Sequence, residues 1–170
     1  RVYTLHPPVF YEKLAEYNQR NPASPLLLFQ GIWLEEVEDA GNPSSYDLIN
    51  RKTSFSNEIE EVVDCINGNR DLAFRYGKAY GIYNTDVSRW TAGYIIGREV
   101  SSQEVDSTNK FHPGTTAFTG ARFSIAGGSA SEVFVTEMLN KVVTYENSRY
   151  SVSRPVSFSS WPTLDPLEHP

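Results

Sequence analysis

The chain has 170 residues, the size of one ordinary domain with or without a tail. Its 15 basic and 21 acidic residues leave a formal charge of −6, and no Lys or Arg cluster exceeds the pair Arg51 and Lys52, which argues against nucleic-acid binding. Hydrophobic residues at 39% exclude whole-chain disorder, and no apolar run approaches the roughly 20 residues of a membrane-spanning helix.

Residues 1–40 read apart from the rest of the chain. Pro7 and Pro8 precede a short amphipathic helix with Phe10, Leu14 and Tyr17 on one face. Asn21-Pro22 and Ser24-Pro25 end it. Residues 26–37 read as a strand, buried at first and acidic later, where Glu35, Glu36, Glu38 and Asp39 form a solvated group. Residues 41–44 are a loop and 46–50 a short strand. Ser56 is a plausible helix cap, followed by Ile59, Val62, Val63 and Ile66 as a one-sided apolar stripe. Gly68 stands where a left-handed helix stop belongs.

Residues 72–83 are strand-like and aromatic, and Asn84-Thr85-Asp86 is a turn. Residues 89–100 alternate, with Trp90, Ala92, Tyr94 and Ile96 on one side. Residues 101–110 read as a polar loop and 115–125 as a strand, Gly120 marking a bulge or close approach. Gly127-Gly128 breaks that strand. Ser129 and Glu132 form a capping box that opens a helix with Val135, Met138, Leu139, Val142 and Tyr145 as its stripe. Residues 154–161 are a last strand, limited by Pro155 to an edge or a strand start.

The expected fold is α+β: an antiparallel sheet with two helices on one face, in a pseudo-repeat of strand-helix-strand-strand units. The expected organisation is an N-terminal extension over 1–44, a domain over 45–161 and an extended, proline-bearing tail over 162–170. The start at Arg1 points to a chain cut from a longer one. The single cysteine, Cys65, excludes an intrachain disulfide and a zinc finger and reads as a buried hydrophobe. Proline blocks the sequon-like Asn42-Pro43-Ser44. A reducing, intracellular and cytoplasmic setting is expected.

Several local patterns, in order, resemble one family. Tyr80-Gly81-Ile82-Tyr83-Asn84-Thr85-Asp86 is similar to a G-I-Y-x-D turn. Residues 89–100, His112-Pro113-Gly114 through Phe118, the helix ending in Asn147-Ser148-Arg149-Tyr150, and Pro155-Val156-Ser157-Phe158 come after it in matching order. Together they resemble the GyrI-like, or SOUL-type, effector-binding domain over residues 45–161. The family's H-x-G-P-Y is absent at 51–56, and its usual closing-strand Glu is missing. The resemblance implies a groove between two halves that takes a small organic ligand, and it allows a hydrolase.

Aromatic residues number 22 (3 Trp, 10 Tyr and 9 Phe). Tyr80, Tyr83, Trp90, Tyr94, Phe118 and Phe123 on neighbouring strands would line a groove for flat apolar or cationic ligands, with Glu99 as a carboxylate. The competing reading makes these rings the core under the helices. Glu99 or Glu104 with a tyrosine would suit hydrolysis, the carboxylate as base and the phenol as oxyanion donor. His6, His112 and His169 are too separated for a metal site, and no cofactor motif is present. Gly127-Gly128-Ser129 reads as a turn rather than an anion cradle. Beside a small organic ligand, a protein partner could dock through residues 1–44 or the tail, where Trp161 and Leu164 resemble a W-x-x-L strand-adding motif.

Overall fold

The computed structural model describes residues 1–36, 39 and 41–159. Expectations for Val37, Glu38, Ala40 and residues 160–170, including the motif at 161–164, lie outside them.

The chain is a mixed α/β protein with four helices and small sheets among the described residues. Pro8 at its first turn opens α1, Pro8–Arg20, whose Tyr11 and Ala15 are buried. α2, Lys52–Ile66, buries the predicted stripe completely: Ile59, Val62, Val63 and Ile66 are at 0% exposure. Each such side chain contributes roughly 1.5–3 kcal/mol on leaving water. α3 spans Ser102–Phe111 and α4 spans Ala130–Tyr150. Phe55 of α2 stacks on Phe134 of α4 with ring centroids 6.4 Å apart. Cys65 is buried in this core, and burial pushes its thiol far above the ordinary range.

The strands among these residues form three sheets. β1, Leu28–Ile32, β4, Thr91–Ile96, and β7, Val156–Phe158, make one sheet in the order β1-β4-β7. Both pairings in it are parallel. β2, Arg70–Leu72, and β3, Gly81–Tyr83, form an antiparallel hairpin, as do β5, Ala117–Thr119, and β6, Ser124–Ala126. The expectation of a single antiparallel sheet is corrected accordingly. Alternation identifies a strand but not the direction of its partner. Here α2 lies between β1 and β4, while α3 and α4 lie between β4 and β7. Such long helical crossovers are what parallel pairing requires.

Other differences have local causes. Residues 72–83 and 115–125 are hairpins rather than single strands. Gly77, at φ 71°, supplies the left-handed backbone that reverses the first. Residues 46–50 lie in two 3-10 turns, Pro43–Tyr46 and Leu48–Arg51, each capped by the side chain before it, Asn42 and Asp47. Ser56 is inside α2 and not its cap. Residues 101–110 belong to α3 instead of a polar loop, opened by a Ser101–Glu104 capping box.

The stretch 1–44 supplies β1 and places Leu5, Tyr11, Ala15, Leu28, Ile32 and Leu34 in the same core as the rest. Gln30 is fully buried and fixes the N-terminal segment: its amide donates to the carbonyls of Thr4 and Gly31, and its Oε1 accepts from the Tyr11 hydroxyl. Among the described residues no helix is long and apolar enough to cross a membrane.

Candidate functional site

Because β1, β4 and β7 run the same way, their carboxyl ends meet at one edge of the sheet. In open α/β sheets that edge is where ligands bind. A cleft of about 830 Å³ lies there, within the range of small-molecule sites. Trp33 and Glu36 follow β1 into it, Glu99 and Ser101 follow β4, and Ser159 follows β7. Tyr3 and Thr4 come from the N-terminal segment, Tyr46 from the first 3-10 turn, and Gln103 from the first turn of α3.

The N-terminal wall is held against β1. The Val2 amide donates to the Phe29 carbonyl at 3.1 Å, and Val2 bridges Gln30 in parallel. Gly31 makes this approach possible: a Cβ there would lie 2.2 Å from the Tyr3 carbonyl oxygen. The Arg1 guanidinium sits over the Tyr3 ring at 4.5 Å and reaches the Ser159 hydroxyl at 3.4 Å.

Arg98 and Glu104 build the floor. Glu104 is 2% exposed and Arg98 6%. Arg98 Nη2 and Nη1 donate to the two carboxylate oxygens at 2.6 and 2.9 Å. Its remaining N–H groups go to the carbonyls of Leu34, Glu35 and Glu99. All five guanidinium donors are therefore used. Glu104 also accepts from Arg51 Nη1 at 3.2 Å and from the Ser101 amide at 3.0 Å. Burial disfavours the charge on Glu104, but the Arg98 hydrogen bonds, the Ser101 amide and the Arg98 and Arg51 charges outweigh it and hold the carboxyl below its usual range. Glu104 is thus a fixed counter-ion and not a free base.

The cleft's other carboxylates differ. Glu36 and Glu99 are exposed on its wall, and neither carboxylate has a hydrogen-bond or ion-pair partner among the described residues. With Tyr3, Trp33 and Tyr46 they give a cleft of aromatic faces and free negative charge.

Of the seven residues expected to form a groove, Glu99 lines this cleft. Tyr83, Trp90 and Tyr94 are core residues at 3%, 7% and 1% exposure. The Tyr83 hydroxyl donates to the His6 carbonyl. Trp90 lies under the Arg89 guanidinium. Tyr94 donates to Glu146, and burial first, then the Glu146 charge, pushes its phenol well above the ordinary range. Tyr80 is exposed against Phe74 on the β2–β3 hairpin, with ring centroids 5.0 Å apart. Phe118 lies on β5, and Phe123 lies in the turn between β5 and β6. These six side chains do not converge on one surface.

The residues that sequence reasoning missed are Tyr3, Trp33, Glu36 and Tyr46. None of them belongs to a motif. The signal that joins them is the parallel direction of three strands, which alternation does not carry. His112 caps the end of α3 and pairs with the buried Asp47 at 2.7 Å. No cluster of three potential metal ligands occurs among the described residues.

No family model, curated protein or solved structure matches the chain.

Proposed function

We propose that the chain is a small-molecule binding module whose ligand lies in the cleft at the carboxyl edge of the parallel sheet. The observation that carries this reading is the set of three aromatic side chains, Tyr3, Trp33 and Tyr46, on the walls of one cleft of about 830 Å³. Flat or amphipathic organic molecules gain most from such walls, through burial of ring area and stacking. The floor favours a preformed site, since Arg98 and Glu104 fix the ends of β1 and β4 and the start of α3 in one hydrogen-bonded unit. This reading rests on the cleft rather than on the GyrI-like resemblance.

A thermal-shift screen of small aromatic compounds tests it, with fluorescence titration of each hit. A ligand at about 100 times its Kd adds about 2.7 kcal/mol to the stability of the native state. A hit should quench the emission of the wild type and lose that quenching in Trp33→Phe. Hits that bind Trp33→Phe and Tyr46→Ala as tightly as the wild type would place binding elsewhere and overturn the proposal.

A further inference from the structure

We infer that the ligand of this cleft is an organic cation, with Glu36 and Glu99 as its counter-charges; the inference rests on the cleft being the binding site. The sign comes from which charges are already spent. Arg98 is the one cation among the described residues lining the cleft, and its five N–H donors all go to protein oxygens. It has nothing left to give a phosphate or carboxylate. Glu104 is neutralised in place by Arg98 and Arg51. Among the described residues that line the cleft, the carboxylates without a hydrogen-bond or ion-pair partner are Glu36 and Glu99.

The aromatic wall points the same way. A ring face is the negative side of its quadrupole and attracts cations, more strongly where water is excluded. Tyr3 already holds one: the Arg1 guanidinium lies 4.5 Å from its ring centroid, at the cleft's edge beside Ser159. The cleft therefore displays, with its own chain, the kind of group its wall accepts. Three aromatic walls and two carboxylates suit a weakly hydrated alkylammonium or aromatic cation. They do not suit a metal ion, which would need several oxygens converging at fixed distances.

The test uses two probes of nearly equal shape, 4-(trimethylammonio)phenol and 4-tert-butylphenol, titrated into the full chain by calorimetry. The cation should bind roughly tenfold more tightly than its neutral isostere. Its advantage should shrink in Glu36→Gln and Glu99→Gln, vanish in the double variant, and fall as salt rises. Tetramethylammonium should compete with it, and sodium at equal ionic strength should not. Equal binding of both probes at the cleft, lost in Trp33→Phe, would leave the site standing and overturn the inference about charge. Binding of the cation that survives the double Gln variant, or equal competition by sodium, would overturn it too. Failure of both probes and of every screened compound would remove the site itself. Circular dichroism of the Gln variants checks that the fold is kept, since both positions are exposed.

Discussion

The Tyr94 hydroxyl donates to Glu146 Oε1 at 2.7 Å, joining the central strand to the longest helix through a carboxylate with no solvent exposure. Arg154 completes the cluster. Its guanidinium pairs with the same oxygen, its backbone amide reaches Oε2 at 3.0 Å, and its Nε and Nη2 donate to the carbonyls of Thr91 and Ser88. Removing Glu146 strands a largely buried guanidinium, whereas removing the phenol leaves the ion pair intact. Glu146→Leu should therefore cost about 3–5 kcal/mol, and Tyr94→Phe, which removes one hydrogen bond to a charged group, about 1.5–3 kcal/mol. Urea denaturation of the two variants checks the order; equal losses would refute it.

Glu104 should govern part of the acid limb of stability. Its carboxyl titrates lower in the folded chain than in the unfolded one. The group therefore contributes stability that is fully present above the unfolded value of about 4.3 and is lost as pH falls through the lowered folded value. Glu104→Gln should cost about 3–5 kcal/mol near neutrality, because it leaves Arg98 and Arg51 without their counter-ion. Its stability should then fall less steeply than the wild type's below about pH 4.3. Chemical denaturation across pH 3–7 reads both effects; parallel curves would show that Glu104 carries no such linkage.

Gly31→Ala should lift the N-terminal wall of the cleft. The new Cβ would meet the carbonyl oxygens of Tyr3 and Val2 at 2.2 and 2.4 Å. Backbone atoms cannot yield as a flexible side chain can, and such overpacking costs about 1–3 kcal/mol. The Val2 amide, bonded to Phe29 in the wild type, should exchange faster with solvent deuterium, while the α2 amides keep their protection. Unchanged exchange at Val2 would mean that the N-terminal segment does not depend on this contact.

Arg1→Gln should strengthen binding of the quaternary ammonium probe, by a factor of a few, because it removes a tethered cation that covers the Tyr3 ring. Weaker binding in this variant would mean that Arg1 helps to shape the cleft rather than to compete for it.

The sequence exposed its local signals unevenly. The α4 capping box at Ser129 and Glu132 was legible because an apolar stripe comes after it. The identical spacing at Ser101 and Glu104 opens α3, yet it reads as loop, because α3 buries Glu104 and Thr108 instead of an apolar face. A buried acid looks like a surface acid until its arginines are placed, and Arg51 lies far from Glu104 along the chain. The same blindness hid the cleft. Glu36 reads as part of a solvated acidic group, and Trp33 as one residue of a strand. What makes them a site is the direction in which β7 and β1 flank β4. Tyr83 and Tyr94 misled for the opposite reason: strand aromatics beneath helices are packing, and their hydroxyls are consumed by His6 and Glu146.

The position of β4 at the centre of the sheet also governs how the protein can be made. Its partners lie about sixty residues away on either side, Phe29 opposite Gly93 and Phe158 opposite Ile96. Neither pairing can close until the intervening segment has been synthesised and brought back, which places the chain among slow, loop-limited folders. On the ribosome, β1 can find β4 while the second crossover is still missing, leaving one edge of β4 unpaired until β7 emerges. In that interval the nascent chain presents Tyr94, Ile95 and Ile96 along an open strand edge, the kind of edge that templates aggregation. Emergence of β7 from the ribosome, rather than formation of the α2 core, is the step that ends that exposure.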